Sequence, residues 1–110
     1  MSEWVKELPV GVTVVGEDGK IIAMNDKARK TFAKYGDNLV GQNVLDCHSG
    51  PARQKLGELL AGEKTNCYTI EKNGVKKLIY QTPWYKDGNF AGLVELSLEI
   101  PFEMPHFVRK

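Results

Sequence analysis

The chain is short of most features that announce a function. It holds two cysteines in 110 residues, too few for a disulfide framework. Its start, MSEWVKELPV, lacks the basic-then-apolar layout of a secretion signal, so Cys47 and Cys67 are expected as reduced thiols in a cytoplasmic protein. No apolar run approaches the roughly 20 residues of a membrane-spanning helix, so no membrane association is expected. An excess of charge of one sign is missing as well: 15 Lys and Arg stand against 14 Asp and Glu, which gives no reason to expect nucleic acid or an anionic surface as partner. Lys27, Arg29, Lys30 and Lys34 do cluster, but without interleaved aromatics for base stacking they read as a solvated helix face. The spacings of a nucleophile elbow, a His/Glu metalloprotease helix and a phosphate loop are absent. Asp46 or Glu95 can be nominated as a buried base, yet neither has an identifiable partner, so no enzyme is expected and no catalytic residue is assigned.

What is present is a pattern of turns and alternating strands. Val10, Val12, Val14 and Val15 lead into Gly16-Glu17-Asp18-Gly19 and on to Ile21, Ile22, Ala23 and Met24, a first hairpin. Asn25-Asp26 stops the strand and starts a helix, because both side chains can accept bonds from free backbone N–H groups. That helix carries Ala28, Phe32 and Tyr35 at helical spacing and ends at Gly36, a suitable left-handed cap. Two short turns follow around Leu39, Val40, Val44 and Leu45. Ser49-Gly50-Pro51 then opens a longer helix with Ala52, Leu56, Leu59 and Leu60 on one face and a stop at Gly62. Gly57, inside it, costs about 1 kcal/mol relative to alanine and suggests close packing or local mobility.

The remainder reads as a meander. Cys67 to Lys72 alternates, Asn73-Gly74 is a two-residue hairpin turn, Val75 to Tyr85 is a long strand, Asp87-Gly88 turns again, and Phe90 to Ile100 follows. In the last strand Val94, Leu96 and Leu98 share one face and Glu95, Ser97 and Glu99 the other, so one side is expected to be buried and the other wet or paired. Before the first hairpin, Ser2 to Glu7 forms a short helix with Trp4, Val5 and Leu8 on its apolar side. After the last strand, the tail from Pro101 carries Phe102, Met104, Phe107 and Val108, and is expected to dock on this protein or on a partner. The chain thus divides into a helical cap over 1–8, one domain over 9–100 with room for a single core and a small pocket, and a tail over 101–110.

This order resembles the PAS domain family, on Leu8-Pro9-Val10-Gly11 with Val14, Asp18-Gly19, Ile22, Asn25 with Ala28, Val40-Gly41-Gln42-Asn43-Val44, Pro83, Asp87-Gly88 and Ala91-Gly92. The resemblance implies an α+β fold, a five-stranded antiparallel sheet curved around short helices packed on one face, often with a ligand in the concavity. It implies a sensory domain that binds a small ligand or cofactor and relays occupancy through dimer contacts. The alternative is a ligand-free interaction and dimerisation module with a filled core. In such proteins a leading helix commonly packs on the outer sheet face or on a second subunit, so a homodimer through the Trp4 helix and the sheet is expected.

Cys47-His48 lies where the resemblance places the cavity wall, and either residue could offer an axial ligand to haem iron, though not both from one side. Haem-binding PAS proteins most often present a histidine from within the long helix, and Ala52 to Ala61 contains none. LDCHS is not a c-type attachment motif, and Asn66-Cys67-Tyr68 only echoes the reactive cysteine of the flavin photoreceptors, so flavin is not expected. Cys47, His48, Cys67 and His106 match no common zinc spacing, and no metal site is assigned. Leu56 from the helix, Tyr80, Thr82 and Trp84 from the long strand and Leu96 from the last complete the candidate lining with His48 and Cys47. Gln81 and Tyr85 are offered by the same strand on its other face, and a shift of one residue in register would exchange the two sets.

Overall fold

The computed structural model describes residues 1–110, the side chain of Cys47 excepted. Helix α1 (Glu3–Lys6) precedes the hairpin of β1 (Gly11–Gly16) and β2 (Ile21–Met24). Helix α2 (Asp26–Thr31), a 3-10 turn at Ala33–Tyr35, a second 3-10 turn at Val44–Cys47 and helix α3 (Gly50–Gly62) form the middle. Strands β3 (Asn66–Lys72), β4 (Val75–Lys86) and β5 (Asn89–Ile100) complete the expected five-stranded antiparallel sheet, in the spatial order β2-β1-β5-β4-β3.

Both tight turns of the meander follow from their residues. Asn73 and Gly74 take φ values of 54° and 78°, Asp87 and Gly88 take 51° and 80°, the paired positive angles of a two-residue turn that matches strand twist. Asn25 organises the first half. It caps α2 by accepting the Ala28 N–H at 3.1 Å, and the same Oδ1 accepts the Val12 N–H at 2.9 Å. Its Nδ2 donates to the carbonyls of Val5 at 3.0 Å and Val10 at 2.7 Å. One side chain, 1% exposed, therefore joins α1, β1 and α2. The other edge of β2 is closed by the loop before the second 3-10 turn: the Ile21 N–H donates to Gln42 O, and Gly41 N–H to Ile21 O, each at 2.8 Å.

The core lies between the helices and one half of the sheet, where Leu56 and Leu59 of α3 meet Val15, Ile21, Met24, Ala28, Leu39, Val44 and Leu93. At the crossing of β1, β5 and β4 the backbones come unusually close. A Cβ at Gly92, whose φ is 145°, would stand 1.9 Å from the Val15 carbonyl oxygen, and the Trp84 indole N–H donates to that same oxygen at 3.0 Å.

Several details depart from the sequence reading. Helix α2 ends at Thr31, so Phe32 and Tyr35 belong to its boundary and the following 3-10 turn, and Gly36 takes φ 145°, ψ 160°, which is not the left-handed cap. Helix α3 does end at Gly62 as expected, with the left-handed residue following it at Glu63. Gly57 serves no close contact, since an added Cβ would meet nothing within 4 Å. Trp4 is 72% exposed rather than folded onto its own sheet. The tail does not dock on its own chain: Phe102, Met104, Phe107 and Val108 are all exposed, because Pro101 and Pro105 deny it a strand ladder to join.

Candidate functional site

The strand registers carry one polar row across the helix-facing side of the sheet. Thr13 of β1 stands opposite Glu95 of β5, Glu95 opposite Gln81 of β4, and Gln81 opposite Asn66 of β3. Side chains at directly paired positions share a face, so these four point the same way. Asn66 Nδ2 donates to Gln81 Oε1 at 2.9 Å, and Gln81 Nε2 reaches Glu95 Oε1 at a long 3.5 Å. A run of amide donors is thereby aimed at one carboxylate.

Above this row the helices leave a two-lobed space. The inner lobe, of about 90 Å³, is walled mainly by Ile21, Met24, Phe32, Tyr35, Leu39 and Val44. The outer lobe, of about 300 Å³, runs under α3 past Pro51, Ala52, Lys55 and Leu56 to Asn66, Tyr68 and Gln81. His48 and Glu95 line both lobes, so they stand at the junction. The His48 ring is held by Nδ1, 2.9 Å from the Val44 carbonyl. A carbonyl can only accept, so Nδ1 carries a proton, and whenever the ring is neutral Nε2 is the acceptor.

Glu95 is the electrostatic centre of the site. Burial raises its pKa above the usual carboxylate range; the charge of His48 and the Gln81 hydrogen bond act in the opposite sense and are outweighed. Tyr68 is raised too, first by burial and then by the nearby Glu95 charge, which keeps its hydroxyl a donor. Among the described residues, no Lys, Arg or His nitrogen lies within 4.0 Å of the Glu95 oxygens; the ion pairs are Lys27–Glu99 and Arg53–Asp46.

Of the residues nominated from sequence, His48 and Leu56 line the space. Tyr80, Thr82, Trp84 and Leu96 do not. Tyr80 pairs with Leu96, Thr82 with Val94 and Trp84 with Gly92, one place out of step with the Gln81–Glu95 pair, so they occupy the opposite face. The cause is the last strand, whose apolar alternation marks the wrong side: Val94, Leu96 and Leu98 are half-buried on the outer face, while Glu95 and Ser97 face the helices. The side chain of Cys47 lies outside the described atoms. Sequence reasoning named Glu95 as an isolated acid and Gln81 as an alternative, and missed Thr13 and Asn66. The 13–95–81–66 row could be found only by pairing the strands in register.

A haem does not fit these residues. The lobe with apolar walls is well below the roughly 300 Å³ from which ligand pockets start, and the larger space that His48 faces has Glu95, Gln81 and Asn66 where a porphyrin needs apolar surface. Among the described residues, no three His, Cys, Asp or Glu side chains gather as a metal set. Among the described residues, no helix is long and apolar enough to cross a membrane.

No curated protein matches the chain. Among solved structures it is similar to a C-terminal domain from Streptococcus mutans, at 20% identity and TM-score 0.68 over 86% of this chain and 78% of that one. A sensory box sensor histidine kinase from Vibrio cholerae matches at 14% identity and TM-score 0.66, over 91% and 89%. The Aer2 receptor from Vibrio cholerae, described as a dual PAS-haem oxygen sensor, matches at 16% identity and TM-score 0.58, over 84% and 95%. These likenesses show the fold. A family model described as the PAS fold matches residues 5–100, and with the sheet order and the Asn25-capped helix already described, the chain belongs to the PAS family.

Proposed function

We propose that this chain is a cytoplasmic sensory module that takes a small ligand into the two-lobed space beneath α3 and passes occupancy on through its leading helix and its outer sheet face. The observation that carries the reading is the convergence of His48, Glu95 and Gln81 on an open space. A filled core would have apolar side chains there, and polar side chains facing a cavity are the usual marks of a binding site. The likeness to a sensor histidine kinase and to Aer2 supports a signalling role, but no haem is proposed here.

The bonds of Asn25 support a route for such a relay. Asn25 bonds α1 through Val5 O and caps α2, whose following residues Phe32 and Tyr35 wall the inner lobe. A ligand that favours one arrangement of α2 therefore biases α1. The half-buried outer face of Val94, Leu96 and Leu98 and the exposed Trp4 offer the apolar surface for a second copy.

A thermal-shift screen of polar metabolites on the intact chain, with Ala52→Trp alongside, tests the binding reading. Ala52 lines the outer lobe and is itself exposed, so the larger ring fills the space without entering the core. Hits that vanish in the variant support a ligand cleft. Hits unchanged by it, or none, favour the interaction module. Light scattering on Trp4→Ala reads the dimer separately: a mass shifted toward monomer supports a contact through α1, and an unchanged mass removes α1 from it.

A further inference from the structure

The hydrogen-bond inventory at the junction of the two lobes is one-sided. Gln81 spends one amide N–H on Glu95, at a long 3.5 Å, and its carbonyl on Asn66. His48 spends its Nδ1 proton on Val44. What remains at the junction is the Glu95 carboxylate, which can accept several bonds, and the imidazole Nε2, which can accept one when the ring is neutral, while the Tyr68 hydroxyl is a donor on the outer lobe. The carboxylate has no cation within 4.0 Å among the described residues. His48 and Glu95 line both lobes yet stand farther apart than a direct ion pair allows, leaving room for a group between them.

We propose that the ligand is a small organic cation with two or more N–H donors, an alkylammonium, amidinium or guanidinium, held between the Glu95 carboxylate and His48 Nε2 with its apolar part in the inner lobe. The inference rests on the ligand-cleft reading and names the class of that ligand. A half-buried carboxylate without a direct ion-pair partner is costly, and a fitted cation relieves that cost through charge-assisted bonds. Phe32 and Tyr35 at the inner lobe add aromatic surface suited to a cation's alkyl groups or charge. An anionic ligand would have to approach Glu95 with Lys55 as its partner, and Lys55 sits at the exposed rim of the outer lobe.

Titration calorimetry on the intact chain with propylguanidinium and propylammonium chlorides, against sodium propionate and propionamide, separates the classes. The expected result is saturable binding of at least one cation, weakened tenfold or more by Glu95→Gln and little changed by Lys55→Gln, with circular dichroism confirming that both variants are folded. Tighter binding of propionate or propionamide than of either cation overturns the inference and leaves the cleft reading standing. Cation binding indifferent to Glu95→Gln overturns it also. If neither cation binds, the inference falls, and the cleft reading falls with it only if the metabolite screen yields no hit sensitive to Ala52→Trp.

Discussion

Replacing Asn25 by alanine removes four hydrogen bonds at once, and the structure lets the loss be divided. The capping bond to Ala28 N–H is worth about 1 kcal/mol, as for helix caps generally. The Val12 N–H, on a buried residue, loses its acceptor, and stranding a buried backbone donor costs about 1–3 kcal/mol. The carbonyls of Val5 and Val10 belong to half-buried residues, so water can replace Nδ2 there and little is added. The sum is roughly 2–4 kcal/mol, a large share of the about 5–15 kcal/mol that such a domain has in total. At about 4–8 °C per kcal/mol for a domain slightly smaller than this one, Tm should fall by at least about 7 °C. Asn25→Asp divides the role further: it keeps the oxygen that caps α2 and serves Val12, but turns a second oxygen toward two carbonyls, so α1 should be released while the domain stays folded. Urea unfolding followed by circular dichroism gives the stability, and hydrogen exchange at Val5 and Lys6 gives the tether. A loss below about 1 kcal/mol in Asn25→Ala would refute the accounting, and unchanged exchange in Asn25→Asp would refute the tether.

Glu95→Gln should stabilise the protein at neutral pH. With the folded pKa raised, ionising Glu95 costs stability as pH climbs from the unfolded carboxylate value through the folded one, so the variant's advantage should be nil in strong acid, open across that window and stay constant above it; a variant less stable than the parent at pH 7 would contradict the sign. Gly92→Ala should cost more than about 3 kcal/mol, because it combines a strained φ with a clash against backbone that cannot yield, and the Trp84 fluorescence maximum should move as its bond to Val15 O is disturbed. A near-native denaturation midpoint would contradict that geometry.

The strands and their turns could be read from residues because their causes are local. Asn73-Gly74 and Asp87-Gly88 dictate two-residue turns, and Asn25 carries both the chemistry of a strand stop and that of a cap. The end of α2 is set by neighbours rather than by propensity, which is why Gly36 does not end it, whereas α3 does stop at Gly62. The site is less legible for a sharper reason. In β5 the apolar alternation is a true signal, but it marks the face turned away from the helices, and a pattern with period two cannot say which side of a sheet a helix will cover. Tyr80, Thr82, Trp84 and Leu96 were chosen on that side. His48 and Leu56 escape the ambiguity because they come from the helical segment that roofs the cavity.

The place of β5 in the sheet governs the order in which the chain can be built. It is the last strand made and the central one in space, pairing β1 on one side and β4 on the other. Until it emerges, β1 and β2 form one hairpin, β3 and β4 another, and nothing joins their ladders. A ribosome must therefore release nearly the whole domain before the Glu95 site exists, and a nascent chain stopped before Asn89 leaves the β1 and β4 edges open for other chains to pair with.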